Sequence, residues 1–135
     1  MKDKQYNYLL HVLLPVLIGC IIYFFYRNTF ITERTNITSV PNWIKYNLPD
    51  GLWFYALLSS LIFIWNKKLS FYFGLWFLST IALGFLSEIL QAQNIIRGTF
   101  DWKDLLTYFI ATAICVFHLP HFYKSLLFNP KTPKQ

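Results

Sequence analysis

Four apolar runs separated by polar breaks set the pattern of this chain. Residues 8–26, 50–65, 69–90 and 104–123 are rich in Leu, Ile, Phe, Tyr and Trp and carry few charges. At about 1.5 Å per residue, 8–26 reaches roughly 28 Å, enough to cross the hydrocarbon core of a bilayer. Unbroken apolar runs of this length read as helices rather than strands. The pattern predicts an all-α fold, a four-helix transmembrane bundle with short loops.

The breaks carry their own signals. Pro15 is placed to kink the first span, and Gly19 permits a close helix contact. Residues 27–49 form a polar loop in which Trp43 marks the headgroup level. Pro49, Asp50 and Gly51 punctuate the start of the second span, with Asp50 as its N-cap. Asn66, Lys67 and Lys68 form a tight turn. The loop 91–103 precedes the fourth span, and Pro120 disturbs that helix between His118 and His121. The organisation is a cytoplasmic N-terminus (1–7), a membrane domain (8–123) and a disordered basic cytoplasmic tail (124–135).

Composition supports a membrane protein. The chain is 56% hydrophobic, and its 13% charged residues are too few to cover a soluble domain. The formal charge of +6 comes from residues that flank apolar runs. That placement indicates membrane anchoring rather than nucleic-acid binding. Cys20 and Cys115 lie deep in apolar runs and suggest neither a disulfide framework nor a redox motif. There is no nucleophile elbow, phosphate loop or dinucleotide fingerprint, and no cofactor is expected.

Charge also orients the chain. Lys2, Lys4, Lys67, Lys68, Lys124, Lys131 and Lys134 fall on one side. Arg27, Arg34, Lys45, Arg97 and Lys103 are spread over longer loops on the other. The positive-inside rule then puts both termini in the cytoplasm of a multi-pass inner-membrane protein. Glu33, Asp50, Glu88, Asp101 and Asp104 share the opposite side, leaving Asp3 alone. His11, His118 and His121 lie at the cytoplasmic ends and read as interfacial anchors. No metal site is expected.

Charge close to a membrane is costly, so the acids define the candidate site. Gly84, Glu88 and Gln91 share one helix face. Asp101, Asp104 and Tyr108 share another, continued by Ala111, Thr112 and Cys115. Facing stripes would bring Glu88 and Gln91 near Asp104 and Tyr108, and Arg97 in the loop could reach a carboxylate or a phosphate. Capping explains Asp101 and Asp50 better than function does, and Asp104 stands between the two readings. Gln91 suits a helix–helix hydrogen bond. Glu88 is the acid that capping explains least, because the helix dipole disfavours a carboxylate in a C-terminal turn.

At these residues the chain resembles the VanZ-like family of small bacterial membrane proteins. Glu88 and Gln91 match the family's Glu and Gln, Arg97 its loop arginine, and Asp104 the acid that opens its last helix. Asp101 matches an acidic position before it, and Asp50 the acid of an earlier motif. Tyr108 stands where Asn is usual and Ala111 where Gly is usual. Trp53 and Phe54 occupy the region where a histidine often follows. The resemblance covers roughly residues 50–115 and implies a four-helix integral membrane protein.

Three functional readings follow. The first is a VanZ-like protein with a carboxylate-rich extracytoplasmic site that binds or acts on an envelope-associated lipid or glycan. Glu88 and Asp104 would be its central, candidate catalytic acids, and Arg97, Gln91, Asp101, Asp50 and Tyr108 its candidate ligand contacts. The second is a non-catalytic scaffold whose polar cluster locks the helices. The third is an enzyme acting on a lipid-linked substrate through the acids. Oligomeric state is left open.

Overall fold

A computed structural model describes residues 8–27, 41–65 and 70–127, with side chains in the last segment described to residue 117. The chain is all-α, with four helices. The first comprises a π-helical turn, Leu9–Leu13, continued by α1, Leu14–Arg27. Then follow α2, Asn42–Ile64, α3, Phe71–Ala92, and α4, Trp102–Leu127. Among the described residues, the first three helices are long and apolar enough to cross a membrane. Residues 1–7, the loop acid Glu33, the turn 66–68 and the tail from 128 onward lie outside the described residues. So do the side chains of His118 and His121.

Lipid-like exposure accompanies these helices, α4 included. Phe71 and Phe117 are each 81% exposed, and Ile64 is 69% exposed. In water such faces would be expelled from solvent, whereas in hydrocarbon they need no cover. The core is correspondingly small. It holds Phe54, Leu58, Ile62, Phe73, Phe77, Ala111 and Cys115.

The central element is α2, the most buried of the three apolar spans. It packs most extensively on α4 and on α1. Asn47, Gly51, Phe54, Leu58 and Ile62 are all buried and recur at helical spacing along it. Gly51 meets Thr107 near the start of α4, and Ser59 meets Cys115 further along. These contacts advance together along both sequences, so α2 and α4 run parallel. Gly84 of α3 receives the ring of Phe54, where an added Cβ would lie 2.7 Å from Phe54 Cε2.

Two boundaries differ from the sequence expectation. The second helix begins at Asn42 rather than at Asp50, with Pro41 before it. Asp50 is therefore not an N-cap but an interior residue, and buried Pro49 lies inside the helix. Pro49 lacks an N–H, which leaves the carbonyl of Lys45 without its helical donor. This does not end the helix, because tertiary packing on α1 and α4 holds both sides of the proline. Likewise α4 continues through Pro120 to Leu127.

At Pro15 the expected break takes a specific form. The Leu14 N–H donates to the Leu9 carbonyl, closing the wider π-type ring one residue before the proline. His11 lies within this turn, and its Nδ1 is 2.7 Å from the hydroxyl of Tyr55 on α2.

Candidate functional site

The polar end of the bundle is built by the start of α2, the end of α3 and the start of α4. Asp101 caps α4. Its carboxylate Oδ1 accepts from the Lys103 N–H at 3.0 Å, and its carbonyl accepts from the Asp104 N–H at 2.9 Å. This is the capping role the sequence offered as one of two readings. The carboxyl is held below its ordinary range, first by the Lys103 N–H and then by the Asn47 amide.

Asn47 joins the elements. Its Nδ2 donates to Asp104 Oδ1 at 2.6 Å and to Asp101 Oδ2 at 3.1 Å. The side chain is only 3% exposed, so its donors have exchanged water for these two carboxylates. One amide thereby ties the first turns of α2 to the N-terminus of α4.

Glu88 faces this pair from α3. It is 4% exposed, and its Oε2 is buried with no hydrogen-bond partner. The Asp101 N–H is directed at its carboxylate, while Asp104, Asp50 and Asp101 all act on it as like charges. Tyr108 belongs to the same group and feels Asp50, Glu88 and Asp104. Its ring packs on Phe54 at 4.7 Å and on Phe85 at 6.4 Å. Five of the residues singled out from the sequence thus meet: Glu88, Asp104, Asp101, Asp50 and Tyr108.

Gln91 and Arg97 are placed differently. The loop after α3 starts with Asn94 in the left-handed region at φ 56°. The Ile95 N–H bonds to the Leu90 carbonyl and the Asn94 N–H to the Gln91 carbonyl. Together these form a Schellman closure with Asn in the place usually taken by Gly. Gly98 follows at φ 149°, where an added Cβ would lie 2.8 Å from Gln91 Nε2. The Gln91 side chain therefore lies over the loop backbone. Arg97 is exposed and forms no ion pair among the described residues. Ile95, Phe100 and Trp102 are also exposed, an apolar fringe suited to the interfacial layer.

Asn47 is the site residue that sequence reasoning missed. The signal was present. Once the helix is begun at Asn42, Asn47 falls on the buried stripe of Gly51 and Phe54. No group of three or more His, Cys, Asp or Glu side chains among the described residues is arranged to hold a metal ion.

The fold defines an all-helical protein of membrane-spanning character with a cluster of carboxylates at one end. No protein-family model, curated protein or solved structure matches the chain.

Proposed function

We propose that this chain is a VanZ-like integral membrane protein whose carboxylate-rich end faces out of the cytoplasm and binds an envelope-associated ligand. The observation that carries the reading is Glu88 Oε2, a buried carboxylate oxygen with no donor. Burying such a group unpaired costs several kcal/mol, so a protein that keeps it there gains from a donor supplied from outside the fold. The ligand group that answers it is a hydroxyl or an ammonium, the donors of glycans and amino sugars. Asp104 and Asp50 add acceptors beside it. Arg97, exposed at the rim, offers a bidentate contact to an anionic part of the same ligand. The lysine distribution supports the orientation, and the match of Glu88, Gln91, Arg97 and Asp104 to the family pattern supports the family.

A non-catalytic scaffold is the second reading, and the Asn47 bridge favours it, since that amide satisfies two carboxylates internally. Glu88→Gln and Asp104→Asn, tested in a host deleted for the gene, separate the two. The ligand-site reading expects both variants to accumulate in the membrane at the wild-type level and to fail in function. Full function in both would overturn it. Loss of both proteins from the membrane would favour the scaffold.

A further inference from the structure

Two clefts between α2 and α4 share the residues Trp43, Thr107 and Ile110, and so form one continuous groove. The upper part, about 510 Å³, is edged by Asn42, Trp102 and Lys103. The lower part, about 360 Å³, continues past Gly51 to Ala111 and Ile114, with Pro15 of the first helix at its side. Each volume falls in the range of small-molecule sites. Glu88, Asp50 and Tyr108 line neither part.

The groove is graded along its length. Its mouth has an ammonium, an amide and two tryptophans, the residue types that sit at headgroup level. Below Thr107 its walls are apolar. The mouth and the deep end, Lys103 and Ile114, are separated by roughly 16 Å along α4. That is about half of the roughly 30 Å hydrocarbon thickness, the depth of one leaflet. Gly51 and Thr107 touch between its two walls. A surface cleft of this depth, polar only at the interface, matches one acyl chain with its headgroup attached.

We propose that this groove is a binding site for one anionic phospholipid of the surrounding bilayer, with its phosphate at Lys103 and one acyl chain lying along Thr107, Ile110 and Ile114. Charge selects the occupant. Lys103 is the cation at the mouth; its charge also acts on Asp101, a carboxylate that Asn47 and the Lys103 backbone N–H hold in place. The groove shares Asn47 with the carboxylate cluster but neither Glu88 nor Asp50, and either ligand can fail without the other.

Native mass spectrometry of the full-length protein, exchanged into dioleoyl-phosphatidylglycerol or dioleoyl-phosphatidylcholine, tests this. One phosphatidylglycerol should be retained in preference to phosphatidylcholine. Lys103→Ala should weaken its retention about fivefold, the effect of one basic residue on an anionic lipid surface. Ile114→Trp, a filling change at an exposed position, should weaken both lipids about tenfold through lost methylene contact. Lys45→Ala, a cation on α2 outside the groove, should leave retention unchanged. Equal retention of the two lipids by the wild type would overturn the proposal. So would an equal effect of Lys45→Ala and Lys103→Ala, or displacement of the lipid by glycerol phosphate alone. A phosphatidylglycerol with a diazirine in its acyl chain guards against misfolded variants. On the wild type it should label the peptide containing Ile110 and Ile114, and labelling confined to other helices would also overturn the proposal.

Discussion

Asn47 Nδ2 lies 2.6 Å from Asp104 Oδ1, joining residues 57 apart in sequence through one partly buried hydrogen bond. The acceptor is a carboxylate, and the same amide also reaches Asp101. Bonds of this kind contribute more than neutral ones.

Asn47→Ala should therefore destabilise the bundle by about 1–3 kcal/mol, the lower figure applying if the unfolded chain finds other partners in the membrane. Unfolding in mixed micelles by denaturing detergent would measure it. Asn47→Asp should be worse, because it places another carboxylate against two others. Equal stability of wild type and Asn47→Ala would show that the bridge contributes nothing.

Glu88→Gln replaces an oxygen lacking a donor with an amide that can itself donate to Asp104 or Asp50. Thermal stability in detergent should rise by about 1–2 kcal/mol, as when a buried polar atom without a partner gains one. A fall in melting temperature would mean that the Asp101 N–H contact to the carboxylate outweighs the missing donor at Oε2.

Gly51 and Gly74 should respond in opposite ways. An added Cβ at Gly51 would lie 3.0 Å from Thr107 Cβ, whereas at Gly74 it meets nothing within 4 Å. Gly51→Leu should cost about 1–3 kcal/mol through overpacking. Gly74→Ala should add about 0.5–1 kcal/mol by removing backbone freedom from the unfolded state. Melting curves of the two variants beside wild type give the comparison.

The Asp101 carboxyl is held below its ordinary value of 3.8 by the Lys103 N–H and the Asn47 amide. Between that value and the lower folded one, the unfolded chain binds more protons than the folded chain. The contribution is thus complete above the ordinary value and is lost as pH falls through the folded one. Asp101→Asn retains a good N-cap and removes this titration. Its stability should fall less steeply than that of wild type below about pH 4, the ordinary carboxylate range. Parallel acid limbs would overturn the assignment.

Much of the fold was legible because spanning helices advertise themselves by length and apolarity. The starts of α3 and α4, which Ser70 and Asp101 cap, fall within two residues of the expected ones. The start of α2 did not. Proline and glycine around Asp50 outweighed a weak helical pattern in residues 42–48, and local chemistry was taken over packing. That error hid Asn47, whose meaning depends on the helix face it occupies. The meeting of Glu88, Asp104 and Tyr108 could be read from spacing, because the stripes are local and the helices are neighbours. The posture of Gln91 could not, since it depends on the loop conformation that Asn94 and Gly98 allow.

The parallel run of α2 and α4 has a consequence for biogenesis. A chain inserted from its N-terminus places α2 in the bilayer while α4 is still unmade. Until then Asn47 and Ser59 lack the acceptors and partners that α4 brings, and α3 must cross in the opposite direction before they arrive. The nascent chain therefore passes through a three-helix stage with polar groups open to lipid or to the insertion machinery. Its lifetime is set by translation of the residues between Ser70 and Cys115, so slowed synthesis there should expose this protein to membrane quality control more than slowed synthesis anywhere before α2.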